Sequence, residues 1–83
     1  MDDFFLYILR SKVQKYLYVG ITDNIDRRYN EHQQGWVKTT RTFRPFDLVR
    51  TESFKTRQEA RNREKYLKSG IGKEWLKFLY PYK

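Results

Sequence analysis

Five side chains in this sequence could together act on a phosphodiester. Tyr7 and Tyr18 stand in two apolar runs, "FFLYILR" and "KYLYVGI". Arg28 and the single histidine, His32, follow in one polar segment, and Glu64 lies far downstream in a charged one. A phenol or an imidazole can take a proton from an attacking water, an arginine can stabilise charge gathering on the phosphate oxygens, and a carboxylate can hold a divalent metal that assists the leaving oxygen. Each residue alone is weak evidence, since strand tyrosines are usually core. Only elements that bring the five together would make them a site.

The two apolar runs, Phe4 to Arg10 and Lys15 to Ile21, are rich in aromatic and β-branched residues and flank the polar link "SKVQ", the pattern of a hairpin. In the second run, alternation puts Leu17, Val19 and Ile21 on one face and Tyr16, Tyr18 and Gly20 on the other. For Leu6 and Ile8 to share the apolar face with Val19 and Leu17, the numbers of paired residues must sum to an odd value. A sum of 25 suits a four-residue connection and sets Tyr7 opposite Tyr18. Gly20 then reads as room for the backbone to approach a phosphate or to bend into the next element.

"TDN" supplies oxygens that can cap a helix expected over Asn24 to Gln34, stopped by Gly35. Ile25, Tyr29 and His32 share one face of it, Arg28 borders that face one turn from His32, and Arg27 points away. The stretch "WVKTTRTFRP" carries Lys38, Arg41 and Arg44 with two large aromatics and no acid, and reads as a basic loop whose end Pro45 keeps extended. Lys38, Arg41 and Arg44 are candidate phosphate contacts, with aromatic neighbours able to stack on bases. A third strand, Phe46 to Phe54, comes next.

Lys55 to Lys68 is dense in helix formers and stops at Ser69-Gly70. Ala60, Leu67 and Ile71 form its apolar stripe, and Glu64 falls inside that stripe. A carboxylate there needs a partner. It is either a rim glutamate paired with Lys68 or a ligand of Mg²⁺, an ion that needs only one or two protein carboxylates. The closing "KEWLKFLYP" reads as a short amphipathic helix whose Trp75, Phe78 and Tyr82 are expected to close a small core.

Eighty-three residues without a composition break fit one domain, residues 1–83. The absence of cysteine rules out disulfides and thiolate metal sites, and no apolar run is long enough to span a membrane. With Asp2 and Asp3 flanking the first apolar run against the pattern of a secretory signal, a soluble cytoplasmic protein is expected. Residues 1–35 hold five Lys/Arg against five Asp/Glu, whereas residues 36–83 hold thirteen against five. The net charge of +8 therefore sits in the second part, and such a field attracts a polyanion, of which nucleic acid is the usual one.

With "FLY" ending at Tyr7, "YVG" over Tyr18 to Gly20, "DRRYNEH" and "EARNREKYLK", nearly the whole chain resembles the GIY-YIG endonuclease domain. This small α/β module occurs in homing endonucleases, some restriction enzymes and the N-terminal nuclease of bacterial excision repair. The chain is most similar to the compact stand-alone bacterial members of the UPF0213 type. The resemblance implies an α+β fold, a small three-stranded, mainly antiparallel sheet flanked by helices. It also implies metal-dependent cutting of DNA, as used in repair or recombination, with Mg²⁺ or Mn²⁺. The family's two motif tyrosines map to Tyr7 and Tyr18, its glycine to Gly20, its catalytic arginine to Arg28, its helix Tyr/His to His32 and its metal-binding glutamate to Glu64. Phe5 and Leu6 replace the Gly and Ile of the first motif, and no asparagine follows Glu64, where many active members carry one.

Two readings follow. One is an endonuclease of weak intrinsic sequence specificity, directed to its DNA by a partner protein because no second domain is present in these residues. The other is a nucleic-acid-binding module that keeps the fold and has lost its chemistry. Metal dependence separates them; salt dependence does not, because both weaken as salt rises.

Overall fold

The computed structural model describes residues 3–82; Asp2, one of the two acids set against a secretory signal, lies outside them. Three strands, β1 (Phe4–Ser11), β2 (Leu17–Thr22) and β3 (Phe46–Phe54), form one antiparallel sheet in the order β2-β1-β3. Helix α1 (Ile25–Gln33) connects β2 towards β3 through the segment 34–45, and α2 (Arg57–Lys68) and α3 (Gly70–Leu79) close the chain. The expected α+β architecture is the one observed. No helix among the described residues is long and apolar enough to cross a membrane.

Because side chains alternate along a strand, the central strand β1 feeds two cores. Leu6 and Ile8 point to one side, where they pack with Val19 and with Leu67 and Leu76 of α2 and α3. Tyr7 and Leu9 point to the other, where they pack with Phe46, Tyr16, Tyr18, Tyr29 and Phe43. The faces assigned to β2 from its alternation are thus the observed ones.

The register differs from the expected one. Tyr7 pairs with Gly20 and Leu6 with Ile21, so the paired numbers sum to 27 rather than 25. Parity, and with it every residue's face, is kept, but Tyr7 sits opposite Gly20 and not opposite Tyr18. Ser11 explains the shift, because its Oγ accepts from the amides of Val13 and Gln14 and turns the chain beyond Ser11. The Ser11 amide then bonds to the Tyr16 carbonyl, extending the same register. Against β3 the register slips between Ile8 and Leu9, which leaves Val49 as a bulged residue.

Helix α2 starts at a capping box, in which Thr56 and Glu59 each bond the other's backbone amide. Ser69 ends α2 and caps α3 through the Gly72 amide. That early restart overturns part of the expected apolar stripe. Ala60 and Leu67 are buried, but Ile71 belongs to α3 and is 73% exposed. The aromatic residues of α3 also depart from expectation. Leu76 makes the core contact, Phe78 is 81% exposed, and Trp75 lies under the guanidinium groups of Arg50 and Arg63 at 5.1 and 5.5 Å. Glu52 accepts from both arginines and ties α2 to β3.

Candidate functional site

Helix α1 begins because the Asn24 side chain accepts from the Arg27 amide, and Gly35 follows its end at φ 81°. Its inner face is pinned to the start of β3. Tyr29 donates to the Phe46 carbonyl at 2.7 Å, and Gln33 accepts from the Phe46 amide at 2.7 Å. This double clamp sets His32 and Arg28 over the aromatic face of the sheet.

There, four of the five side chains singled out from the sequence meet. Tyr7 Oη lies 2.9 Å from His32 Nε2, and Arg28 Nε donates to Tyr7 Oη at 3.4 Å. The Tyr18 ring lies 6.0 Å from that of Tyr7 and 4.9 Å from His32, centre to centre. Arg27, by contrast, pairs with Asp23 and Glu31 on the exposed side of the helix. The helix face does what its spacing implied.

Gly20 makes the meeting possible. A Cβ at this position would stand 2.6 Å from Tyr7 Oη and 2.9 Å from Cε2 of Tyr18. Tyr7 is only 1% exposed, so its phenol has no free space into which to retreat. Glycine is therefore a steric requirement of the Tyr7 position.

The far side of His32 is closed by a residue that the sequence pattern does not single out. Thr40 Oγ1 lies 2.7 Å from His32 Nδ1, and both residues are fully buried. Thr40 also donates to the Val37 carbonyl. Both imidazole nitrogens are therefore partnered, Nε2 by Tyr7 and Nδ1 by Thr40, with Arg28 donating to Tyr7 and Thr40 to Val37; in the tautomer that carries its proton on Nδ1, Tyr7 donates to His32 and His32 to Thr40. A second overlooked residue is Glu31. It accepts from Arg28 Nη1 at 2.8 Å and so turns the guanidinium with Nε towards Tyr7. An acid three residues after an arginine on a predicted helix was the available signal for Glu31. Thr40 had no such local signal, since it lies in the loop.

Burial sets the charge state of the cluster. Desolvation, aided by the Arg28 charge, lowers the His32 pKa to about 4, so the imidazole is neutral at pH 7. Burial and the neighbouring Tyr18 hold the Tyr7 phenol above the ordinary tyrosine range, despite the opposing pull of Arg28. The bond to Glu31 fixes the Arg28 charge and lowers the pKa of Glu31 itself. The result is a protonated phenol aimed at a neutral imidazole, beside a permanent cation.

The segment 34–45 is held down by three anchors: Thr40 on His32, the Phe43 ring stacked on Tyr16 at 3.8 Å, and the Ser11 hydroxyl donating to the Phe43 carbonyl at 2.6 Å. A short 3₁₀ turn, Arg41–Phe43, replaces part of the expected loop. Lys38, Arg41 and Arg44 remain exposed on this anchored segment and form no ion pair with a described residue. Arg44 donates to the Arg41 carbonyl and lies over Gly35. Beside Arg28 a cleft of about 260 Å³ opens, lined also by Arg27 and Arg57 and by Asp23, which pairs with Arg27, so that three guanidinium groups face one carboxylate there.

Glu64 does not join the phenols directly. It is carried by α2, which packs on the Leu6 and Ile8 side of the sheet. Its partners are Lys68, donating at 3.1 Å, and Arg61 at 3.9 Å. Lys68 and Tyr18, however, line one common groove, so Glu64 is a single ion pair away from the surface that Tyr18 borders. Among the described residues no three His, Asp or Glu side chains gather as a metal-binding group. A lone, largely covered carboxylate suits Mg²⁺, which takes one or two protein carboxylates and fills its remaining positions with water and phosphate oxygens.

A sequence profile of the GIY-YIG catalytic domain matches residues 3–75. A UPF0213 protein of Natronomonas pharaonis is 41% identical over 68 residues, covering 81% of this chain and 79% of its own. A UPF0213 protein of Staphylococcus saprophyticus is 35% identical over 80 residues, covering 95% and 96%. Among solved structures, the solution NMR structure of a UPF0213 protein from Bacillus halodurans superposes with a TM-score of 0.56 at 37% identity, covering 94% of this chain and 85% of that one.

Proposed function

The chain belongs to the GIY-YIG catalytic-domain family, and on that premise we propose that it is a divalent-metal-dependent endonuclease domain hydrolysing DNA phosphodiester bonds with little sequence preference of its own. The observation that carries the reading is the buried hydrogen-bonded chain from Arg28 through Tyr7 to His32, which serves as a proton path when His32 carries its own proton on Nδ1. In the reaction a water oxygen attacks phosphorus and the bond to the leaving oxygen breaks. As the water gives up a proton to Tyr7 Oη, Tyr7 passes its own to His32 Nε2, and Thr40 holds the imidazolium that results. Tyr18 shares the wall of this site and orients the phosphate beside Tyr7. Arg28 stabilises the charge that builds on the phosphate oxygens.

Glu64 would hold Mg²⁺ or Mn²⁺, which when bound supplies a Lewis acid for phosphate chemistry. Lys38, Arg41 and Arg44 contact the phosphate backbone, and Gly20 serves the site by leaving room for the Tyr7 phenol. Backbone contacts carry no base information, so a partner protein in the cytoplasm directs the domain to its DNA.

A second reading, a binding module without chemistry, draws on the position of Glu64, which is neutralised by Lys68 and set apart from the phenols. Nicking of supercoiled plasmid and of fluorescent duplex and branched DNA with Mg²⁺, Mn²⁺ or EDTA, comparing wild type with Glu64→Ala, separates the two. Metal-dependent cleavage that the variant loses while still binding DNA supports the nuclease. Binding by both proteins with no cleavage under any condition supports the module.

A further inference from the structure

A groove of about 510 Å³ lies between β2 and the α2–α3 corner. Lys15, Lys68, Lys73 and Lys77 line it together with Tyr16 and Tyr82, and no acidic side chain does. Lys68 and Lys77 have carboxylate neighbours, Glu64 and Glu74, whereas Lys15 and Lys73 form no ion pair with a described residue. Tyr18 borders the same groove and connects it to the Tyr7–His32 cluster. None of Lys15, Lys73, Lys77 or Tyr82 has a part in the chemistry described above.

We propose that this groove is a binding track for single-stranded DNA leading to Tyr18, a refinement that rests on the nuclease reading. The chemistry of the walls selects the strand type. Lysines are flexible point charges that meet phosphates without demanding one geometry, and the tyrosines with the apolar floor of Leu17, Val19 and Leu76 offer surfaces for unpaired bases. A duplex keeps its bases stacked inside and could use only the rim. A groove of this volume has the scale of a small-ligand cleft, which takes in one or two unpaired nucleotides at a time and is far smaller than a double helix.

The test measures anisotropy of a fluorescein-labelled oligothymidylate and of a duplex of equal length, in EDTA so that cleavage plays no part. Wild type is compared with the Lys15→Ala/Lys73→Ala/Lys77→Ala variant, with the single Lys73→Glu variant, and with a Lys55→Ala/Lys65→Ala control. The triple variant should bind the single strand at least about tenfold more weakly, with the slope of log K against log salt reduced by about 2, since each lost phosphate contact removes about 0.7. Lys73→Glu should show a loss in the same direction, the duplex should be affected less, and the control should match wild type. Unchanged single-strand affinity in the triple variant and in Lys73→Glu overturns the proposal, as does an equal loss for both DNA forms. Single-strand binding that depends on these lysines in a protein that cleaves nothing leaves the track standing and removes the nuclease reading. Cleavage by a wild type that does not bind the single strand does the reverse.

Discussion

The phenol of Tyr7, 1% exposed, and the imidazole of His32, fully buried behind it, meet at 2.9 Å, one from the central strand and the other from the first helix. A buried polar pair of this kind persists only if every remaining donor and acceptor is satisfied, which is what Arg28 and Thr40 provide.

Gly20→Ala tests the packing of this pair. The added methyl would stand 2.6 Å from Tyr7 Oη, and the buried ring can yield only by moving off His32. The expected cost is about 1–3 kcal/mol, the range for overpacking a filled core, read from urea unfolding. A Gly20→Ala variant of unchanged stability with an intact Tyr7–His32 bond would contradict the steric role.

The depressed His32 pKa makes stability depend on pH in a defined window. Between the ordinary value of 6.5 and about 4 the unfolded chain takes up a proton that the native imidazole refuses, so this contribution is complete above 6.5 and is lost as pH falls towards 4. The full difference is about 3 kcal/mol. Unfolding at a series of pH values should show that decline, and His32→Gln should flatten it; an imidazole that titrates by NMR near 6.5 would contradict the burial argument.

Thr40→Val removes one hydroxyl at nearly constant volume and leaves His32 Nδ1, the donor in the proposed direction of transfer, without its partner. A buried donor so orphaned costs about 1–3 kcal/mol. In the wild type, ¹⁵N NMR should find the proton on Nδ1, and the variant should lose that preference together with part of its stability. A wild-type proton on Nε2 would reverse the proposed direction of transfer.

The sequence revealed what depends on period and type. Alternation placed Tyr18 and Gly20 on one face of β2, helical spacing separated Arg28 from Arg27, and strand chemistry marked Phe46 to Phe54 correctly to the residue. It did not reveal the register, because sums of 25 and 27 satisfy the same alternation and only the turn built on Ser11 decides between them. Nor did it show that α3 restarts at Ser69, since one serine can serve as stop and cap together, and this places Ile71 and Phe78 at the surface. Thr40 stayed hidden for a different reason: its role depends on a loop folding back onto a helix, which no local pattern reports.

The central claim is that the Tyr7 hydroxyl transmits the proton from water to His32, and Tyr7→Phe tests it by deleting that one oxygen while keeping the ring. Single-turnover cleavage of duplex DNA with Mg²⁺ should fall by about 10²–10⁴-fold in the variant, the usual contribution of a positioned acid–base group, with DNA affinity in EDTA unchanged. A Tyr7→Phe protein that folds, binds and cleaves at the wild-type rate would contradict the account.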